Sequence, residues 1–518
     1  MNGAEALVQT LVDSDVTVCF GNPGTSEMHF LGALDANPGI RCVLCLFEGV
    51  VSAAADGYGR MTGKPAATLL HLGPGLANAG ANLHNAMRAG TPMVNIVGDH
   101  ATYHHHLDAP LTNNIENLAR TWSVWVKTSR SAQNIAKDAA EAVRKASEGE
   151  GGIATLILPA DTAWGISNGP ALARLVAPKT APDPRGLDQA AERLRSGEPA
   201  MLLLGGSILA DPEALDLADR IAQATGAEVF CETANARIER GAGRVAVEHV
   251  PYPVNDAVAR LKDFRYCILI GARAPVAFFA YPDKPGRLLP EGCETLTLTQ
   301  PDEDGRRALE ELASSLDAGR FMPRHVEPVS GRALPDGPLT SAGIAASLAN
   351  RLPAHAIISD ESMTTGWAIA EATETAAPHS WLELTGGAIG IGLPLAIGAA
   401  VAHPDRKVVV LQADGSGMYT NQALWTHARE KLDIVSIILS NRSYAILRHE
   451  LSNVGVKNPG RKALDMTSLR DPDIDWVAMG QSMGVPSAKA VTAAEFDRLL
   501  AEAFDRKGPS LIEAEIDA

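Results

Sequence analysis

The sequence predicts an α/β protein built from three doubly wound parallel-sheet domains in series. Helix-length amphipathic segments alternate with short apolar runs along the 518 residues, and this alternation indicates βαβ units with helices on both faces of a sheet. Two stretches rich in proline and charge, residues 177–186 and 322–340, interrupt the pattern and are typical of linkers. We therefore expect three domains, at residues 1–168, 185–322 and 338–518.

The first domain is expected to open with an amphipathic helix and then to alternate strands and helices. Its apolar runs are short and rich in Val, Ile, Leu and Cys, which suits parallel strands covered on both faces. Helices are predicted over residues 3–13, 26–36, 49–62 and 76–88, and strands in VTVCFG, RCVLCLF, AATLLHL, PMVNIVGD and GGIATLILP.

The second and third domains repeat this alternation. The central domain is expected to begin with a helix over residues 187–195 and to contain the strands AMLLLGGS, AEVFCETA, YCILIGAR and CETLTLTQ. The third is expected to contain helices over residues 341–352 and 421–431 and the strands AIISDES, KVVVLQADG, IVSIILSN and PSLIEAEI.

Composition narrows the class of function. The formal net charge of −16 argues against a nucleic-acid backbone or an anionic membrane as the main partner. No apolar run reaches the ~18 residues of a membrane span, and the N-terminal segment lacks a basic region before its apolar stretch. The six cysteines lie mostly in strand-like runs and are typical of buried thiols in a reducing compartment. We expect a cytoplasmic protein.

An acid and an amide stand at the ends of two neighbouring apolar runs of the third domain. Asp414 follows VVVLQA, and Asn441 follows IVSIILS 27 residues later, with a helix-length segment between them. Ligands gather at the carboxyl ends of strands in an open parallel sheet, and Mg²⁺ takes oxygen ligands from a few protein groups plus phosphate. The alternative is an ordinary Asp-Gly turn followed by a helix start.

These two motifs resemble the cofactor-binding motif of the thiamine diphosphate (ThDP) enzymes, in which Gly-Asp-Gly is followed by Asn after a helix-length segment. Ala413 here replaces the first Gly, and Ser440 replaces the first of the usual Asn pair, but the ligand positions are kept. The resemblance implies that Mg²⁺ is held by Asp414, Asn441 and the carbonyl of Ser443. It also implies cofactor contacts at Gly415, Ser416 and Tyr444.

Further stretches extend the resemblance. LTGGAIGIGLPLAIG is similar to the segment that binds the aminopyrimidine, which implies that the Gly387 carbonyl contacts the amino group and that Ile389 bends the cofactor. The alternative there is a Gly-rich helix entry that only packs on the sheet. SDESMTT ends the preceding strand, so Thr364, or its neighbours Ser362 and Thr365, either bonds the diphosphate or caps a helix.

Glu48 stands before a small-residue helix in the first domain. Together with ADGYGRMTGK and GPG it matches the single essential glutamate of the family, which bonds N1′ of the pyrimidine and promotes loss of the thiazolium C2 proton. A helix-capping acid is the structural alternative. Because this glutamate and the metal-binding domain meet across a subunit interface in the family, the resemblance implies a homodimer or homotetramer.

The substrate side resembles benzoylformate decarboxylase. FGNPGTSE places Thr25 where that enzyme contacts the substrate carboxylate, and LLHLGPG places His71 at a catalytic histidine position. The second histidine of that enzyme is absent, since Phe278 to Tyr281 occupy its place. His100 and the run His104 to His106 follow a strand and are interpreted as lining a pocket rather than binding a metal.

The sequence therefore predicts a ThDP- and Mg²⁺-dependent enzyme that decarboxylates a 2-oxo acid, or joins the remaining fragment to an aldehyde or a second 2-oxo acid. Three alternatives stay open. The GPG and QADGSGMYT stretches also resemble acetolactate synthase, whose catalytic subunit binds FAD, although LLLGGSILAD is a weak dinucleotide motif and FAD is not favoured. A non-catalytic binding subunit of the same fold and a nicotinamide or flavin oxidoreductase are the other two.

Overall fold

A computed structural model describes residues 1–174 and 176–516. It contains three β-sheets covered by helices, so the predicted α/β class is confirmed. The three domain boundaries stay a prediction. None of the helices in these residues is long and apolar enough to cross a lipid bilayer.

The first sheet has six parallel strands in the order β2-β1-β3-β4-β6-β5. The strands are β1 Val18–Gly21, β2 Arg41–Leu44, β3 Ala66–Leu70, β4 Met93–Asp99, β5 Trp125–Thr128 and β6 Ile153–Pro159. The helices are α1 Gly3–Asp13, α2 Met28–Ala36, α3 Glu48–Thr62, α4 Leu72–Arg88, α5 Ile115–Ala119, α6 Ile135–Ser147 and α7 Ala160–Trp164. Cys42 is exposed, against expectation, because β2 is an edge strand with one uncovered face.

The central sheet has five parallel strands in the order β10-β8-β7-β11-β12. The strands are β7 Ala200–Leu204, β8 Glu228–Cys231, β10 Glu248–His249, β11 Tyr266–Ile270 and β12 Glu294–Thr299, and the strand between β8 and β10 belongs to another sheet. The helices are α8 Pro184–Arg195, α9 Pro212–Thr225, α10 Val254–Leu261 and α11 Gly305–Ser315.

The third sheet has seven strands in the order β17-β18-β16-β15-β13-β14-β9. The strands are β13 Ile357–Glu361, β14 His379–Glu383, β15 Val408–Ala413, β16 Ile434–Ser440, β17 Ser487–Ala490 and β18 Ser510–Glu515, with β9 Ile238–Arg240 at one edge. The helices are α12 Ser341–Arg351, α13 Gly366–Thr373, α14 Gly392–Ala402, α15 Asp414–Gly417, α16 Ala423–Arg429, α17 Ala445–Asn453, α18 Arg461–Asp465, α19 Trp476–Ser482 and α20 Ala493–Asp505.

Strand β9 departs from the predicted organisation in two ways. It comes from the predicted central domain, yet it pairs with β14 of the third sheet, and this pairing is antiparallel. Its three residues carry no strong strand pattern, so no local signal separates them from the surrounding loop. The central segment is therefore joined to the third sheet by backbone hydrogen bonds.

The first region, which contains the six-stranded sheet, and the third region, which contains the seven-stranded sheet, pack through two helices of small residues. A Cβ on Gly57 of α3 would overlap the Leu395 carbonyl of α14, and a Cβ on Gly398 of α14 would overlap the Ala54 carbonyl of α3. Glycine at these two positions lets the helix backbones touch. One continuous buried cluster consequently includes apolar side chains of both sheets and of both helices.

Candidate active site

A narrow cavity lies at the carboxyl ends of β13, β15 and β16. Asp414 directly follows β15 and Asn441 directly follows β16, and these strands are adjacent and parallel. Asp414, Asn441 and Ser443 all line the cavity, together with Ser416. The structure thus brings together the oxygen donors that the sequence places at two separate strand ends.

The carboxylate of Asp414 is almost fully buried. Its Oδ2 accepts the N–H of Arg442 at 2.6 Å and its Oδ1 accepts the N–H of Gly415 at 2.8 Å. Burial nevertheless raises the pKa of Asp414 to about 6, because desolvation outweighs these two hydrogen bonds. A cation beside Asp414 would favour the ionised form and oppose that rise.

Two small residues beside Asp414 have different roles. Ala413 has φ −68° and ψ 142°, an extended conformation that any residue adopts, so the replacement of the family's Gly causes no strain. A Cβ on Gly415, in contrast, would lie 2.5 Å from the ring of Tyr444. Glycine is required at 415 by the packing of Tyr444, and both residues line the cavity.

Two non-glycine residues at this cavity have left-handed backbone conformations. Met363 has φ 54° and Arg442, between Asn441 and Ser443, has φ 56°. Such conformations cost free energy and concentrate at functional sites. Thr364 follows Met363 in a short 3₁₀ helix, Met363–Thr365, and lines the cavity, while its hydrogen bond to a diphosphate stays a prediction.

The glycine-rich loop before α14 forms another wall. Gly387 has φ 74°, and a Cβ there would lie 2.6 Å from the ring of Phe278, which belongs to the central segment. Ile389 lines the cavity. Buried Glu361, which the sequence analysis missed, accepts the N–H of Gly390 at 2.6 Å and so fixes the loop to the end of β13.

Glu48 is the first residue of α3 and is buried. Its Oε2 accepts a hydrogen bond from Asn78 Nδ2 at 3.0 Å, and it makes no capping bond to the helix backbone. A Cβ on Gly75 would lie 3.0 Å from Glu48 Oε1 and 3.3 Å from the Cβ of His71. The second glycine of GPG therefore leaves room between Glu48 and His71, which lie on either side of it.

A ladder of asparagines on α4 joins the first turn of α3, at Gly49, to the glycine-rich loop. Asn82 donates to the carbonyls of Gly49 (2.9 Å) and Gly390 (3.4 Å). Asn85 donates to Asn82 Oδ1 (2.9 Å) and to the carbonyl of Ala388 (2.7 Å), and it accepts the Ala388 N–H (3.2 Å). Both asparagines are buried, and neither was singled out from the sequence, although their spacing with Asn78 on one helix face was a usable signal.

A second cavity, of about 300 Å³, lies at the carboxyl ends of β1, β3 and β4 and contains Thr25 and His71. The fully buried carboxylate of Glu27 accepts a hydrogen bond from His71 Nδ1 at 2.9 Å and from the Gly24 N–H at 2.7 Å. With Nδ1 bonded in this way, Nε2 of His71 is the nitrogen free to meet a substrate. The sequence analysis missed Glu27, because nothing local connects it with His71, 44 residues away.

Three more histidines lie beside this second cavity. His100 follows β4, and its ring centroid lies 5.6 Å from that of His104. His105 Nε2 lies 3.0 Å from Asp99 Oδ2, and burial raises the pKa of Asp99 although His105 opposes the rise. No group of three His, Cys, Asp or Glu side chains within the described residues has a metal-binding arrangement, so His100 and its neighbours give no metal site there.

The two cavities have no lining residue in common. The cavity with Asp414 consists of residues from the third region, and the cavity with His71 consists of residues from the first. Glu48 lines neither cavity, although it lies next to His71. A single chain therefore has the predicted site residues in two separate groups. We call them the first-region half, with Glu48, Thr25 and His71, and the third-region half, with Asp414, Asn441 and Ser443.

The donor set of the third-region cavity fits a divalent cation with a diphosphate. It offers one carboxylate, one amide oxygen and a main-chain carbonyl, which leaves coordination positions for phosphate oxygens, as Mg²⁺ prefers. The amino end of the nine-residue helix α17 reaches the same cavity and adds a favourable potential for an anion.

Comparison with known proteins identifies the class. Residues 1–120 match the family model of the thiamine pyrophosphate enzyme N-terminal TPP binding domain, and residues 362–514 match that of the C-terminal TPP binding domain. The chain is 50% identical, over 99% of its length and 98% of the relative, to a Mycobacterium tuberculosis protein named among acetolactate synthase large subunits, IlvX.

Two further relatives are decarboxylases by name. The chain is 29% identical to benzoylformate decarboxylase of Pseudomonas aeruginosa, with 96% of each chain covered. The structure of a thiamine diphosphate-dependent 4-hydroxybenzoylformate decarboxylase from Rhodococcus jostii matches with a TM-score of 0.86 and 25% identity, over 100% of this chain and 99% of that one. FAD, which the sequence leaves open, receives no support from these relatives. The chain belongs to the family of thiamine pyrophosphate enzymes.

Proposed function

We propose that the protein is a ThDP- and Mg²⁺-dependent carboxy-lyase or carboligase that acts on a 2-oxo acid. The observation that carries this proposal is the position of Asp414 and Asn441 at the ends of adjacent strands in one cavity, within a segment that matches the TPP binding domain model. The names of the relatives support both outcomes, release of an aldehyde and ligation to a second carbonyl compound.

In this proposal the third region binds the cation and the diphosphate. Asp414, Asn441 and the Ser443 carbonyl are the metal ligands. Gly415 makes room for the Tyr444 ring at this cavity, and polar groups around the same cavity would bond the oxygens of the diphosphate. These groups are the hydroxyls of Ser416, Thr364 and Tyr444.

Bound ThDP would supply a carbon nucleophile for the carbonyl of the 2-oxo acid and an acceptor for the electron pair left when CO₂ departs. The protein's part is to orient this group and to ionise it. The Gly387 carbonyl would receive the pyrimidine amino group, Ile389 would pack against the rings of the cofactor, and Glu48 would hold a proton at N1′. Asn78 keeps the Glu48 carboxylate in place through its hydrogen bond.

The first region binds the substrate in this proposal. Thr25 and His71 share the second cavity, where a hydroxyl and an imidazole can contact the carboxylate and carbonyl oxygens of a 2-oxo acid. Buried Glu27 bonds Nδ1 of His71 and so directs Nε2 toward the substrate. Without Glu27, the His71 ring would lose this hydrogen bond and could rotate.

We further propose a homodimer or homotetramer with active sites between subunits. Support comes from the two separate cavities, since neither combines residues of the first region with those of the third. A second copy of the chain can place the Glu48 half of one subunit against the Asp414 half of the other.

A screen for CO₂ release tests the proposal. Pyruvate, 2-oxobutyrate, phenylpyruvate, benzoylformate and oxalyl-CoA are offered with and without an aldehyde acceptor, in the presence of ThDP and Mg²⁺. We expect CO₂ from at least one acid, and none after chelation of the metal. A chain that binds ThDP but releases no CO₂ would be a non-catalytic binding subunit, and a visible flavin spectrum would favour the FAD-containing alternative.

A further inference from the structure

The cavity that contains Thr25 and His71 has an apolar part as well as a polar part. Tyr103, Leu111 and Trp164 line it together with those two residues. These three large side chains are 64%, 37% and 44% exposed in the chain, so much of their apolar surface is uncovered. A concave surface that combines apolar side chains with a few polar groups is typical of a site for a small molecule.

The apolar part is assembled from three segments at the carboxyl end of the first sheet. Tyr103 lies in the loop after β4, Leu111 lies before α5, and Trp164 ends α7, the helix that directly follows β6. The Trp164 indole packs beside the imidazole of His29 on α2, with ring centroids 5.5 Å apart. Because β4 and β6 are adjacent and parallel, their carboxyl ends bring Tyr103 and Trp164 to one cavity.

The two parts of the cavity suit the two ends of a 2-oxo acid. In the function proposed above, Thr25 and His71 contact the carboxylate and carbonyl oxygens of the substrate. The third group on the carbonyl carbon is the side chain, a methyl group in pyruvate and a phenyl group in benzoylformate. A methyl group is too small to cover the apolar surface of a cavity of about 300 Å³, whereas a phenyl or branched alkyl group can remove much of it from water.

The third-region half has apolar rings beside it as well. Phe278 and Phe279 of the central segment are both about half exposed, and their rings meet edge to face with centroids 4.9 Å apart. Phe278 packs against Gly387, whose carbonyl is proposed to receive the pyrimidine amino group. A large apolar side chain of the substrate would thus find apolar surface beside both halves.

We propose that the cavity of Thr25 and His71 selects 2-oxo acids with a large apolar side chain, and that Trp164 and Leu111 are specificity-determining residues. This inference rests on the function proposed above and names the substrate class of the same site. Aryl and branched alkyl side chains share the required chemistry. Pyruvate, with its methyl group, is then a poor donor.

Truncation of Trp164 should affect different substrates unequally. A phenyl or branched alkyl group loses its contact with the indole, whereas the methyl group of pyruvate is too small to cover that surface in the first place. The contact exists before the reaction as well as during it, so its loss should raise KM more than it lowers kcat. A residue with a merely structural role would lower the activity on all acids in parallel.

The test uses the full chain with ThDP and Mg²⁺, the variants W164A, W164F and L111A, and L172A as the matched control at an exposed position outside the cavity. CO₂ release is measured with benzoylformate, phenylpyruvate, 4-methyl-2-oxopentanoate and pyruvate. One methylene in an apolar pocket changes kcat/KM by about 10–200-fold, so we expect the best of the three large acids to exceed pyruvate by at least about 100-fold.

For that acid, W164A and L111A should each lower kcat/KM by about tenfold or more, while the value for pyruvate changes by less than about twofold. W164F keeps an aromatic ring and should restore most of the loss, and L172A should change neither value. ThDP affinity, measured by calorimetry, should stay within about twofold of wild type in all variants, because neither residue lines the cavity of Asp414.

The two aryl acids and the branched acid decide which apolar group the cavity prefers, and a preference for either supports the assignment. Equal or better use of pyruvate by wild type, or a parallel fall for all acids in W164A and L111A, would overturn it and leave the proposed function standing. If wild type releases no CO₂ from any of the acids, the proposed function itself fails, and the assignment with it.

Discussion

The first and third regions have cavities at similar positions, but different side chains line the two cavities. Both place a cavity at the carboxyl ends of parallel strands, as open α/β sheets commonly do. The first-region cavity contains the imidazoles of His71, His100 and His104, whereas the third-region cavity contains a carboxylate, an amide and hydroxyls and no imidazole. Imidazoles are common proton donors and acceptors in enzymes, whereas carboxylate, amide and hydroxyl oxygens suit a cation and a phosphate.

In both regions the carboxyl ends of the strands fix the position of the cavity, and the residues that follow the strands give it its chemistry. The buried histidines of the third region, His379 and His427, lie in the core instead, and burial keeps both neutral. Neither cavity alone has both an imidazole and the oxygen groups that suit a cation and a diphosphate. Variants of the two halves should therefore differ in their effects on cofactor binding and on proton exchange.

Variants of the two halves should lose different properties, proton exchange in one case and cofactor binding in the other. E48Q should lower exchange of the ThDP C2 proton by about 10²–10⁴-fold, because the proton-holding carboxylate is gone, while ThDP still binds. D414N should weaken Mg²⁺-dependent ThDP binding by at least about 100-fold, because a metal ligand is lost. Proton exchange is measured by NMR and binding by calorimetry. Unchanged exchange in E48Q would refute the role of Glu48.

Mixing the two inactive variants tests whether the halves meet between subunits. If Glu48 of one chain faces Asp414 of another, a dimer of one E48Q chain and one D414N chain has one intact site. Random reassortment should then restore about a quarter of wild-type activity, because half of the dimers are mixed and each has one of two sites. Sites confined to one chain would give no recovery, and the E48Q,D414N double variant mixed with E48Q is the negative control.

The asparagine ladder should couple the two regions within one chain. In N85A three groups lose their hydrogen-bond partner, namely the N–H of Ala388, the carbonyl of Ala388 and Oδ1 of Asn82. This loss should lower the free energy of unfolding by about 1–3 kcal/mol. N85D keeps an acceptor for the Ala388 N–H but loses both donations, so it should be destabilised as well. Urea unfolding measures both variants. N117A, at an exposed position on α5, should stay within about 0.5 kcal/mol of wild type, and an equal loss there would contradict the ladder.

A pH-dependent loss of stability is expected from the buried histidine His427. Burial lowers its pKa to about 4, although Nε2 bonds the Leu393 carbonyl at 3.0 Å. Because the folded pKa lies below the unfolded value of about 6.5, stability is present above pH 6.5 and falls as the pH drops toward 4. We expect a loss of about 2 kcal/mol between pH 7 and 4.5. Its ring NMR signals, assigned with H427N, should stay those of the neutral form down to pH 5; a midpoint near 6.5 would contradict this.

Much of the candidate site follows from residues that are close in sequence. Asp414 and Asn441 each follow an apolar run, and the expectation that they lie together needs only two adjacent parallel strands. The same reasoning places Thr25, His71 and His100 at strand ends of the first sheet. Ala413 can replace the glycine of the family motif, because its backbone is extended and does not require glycine.

Other features depend on contacts between distant segments. Glu27 bonds His71 across 44 residues, and Asn85 bonds Ala388 across 303 residues. Phe278 of the central segment covers Gly387, and β9 joins a sheet to which its sequence position does not assign it. None of these pairs has a periodic or spaced pattern that could be read along the chain.

The α/β class, the alternation of elements and the residue types at the strand ends follow from the amino-acid sequence alone, because periodicity and motif spacing are local properties of the chain. The separation of the cavity of Thr25 and His71 from the cavity of Asp414 and Asn441, and the hydrogen bond through which Glu27 orients His71, come instead from the tertiary structure. These features depend on burial and on hydrogen bonds between segments far apart in sequence, and they exist only once the sheets and helices have packed.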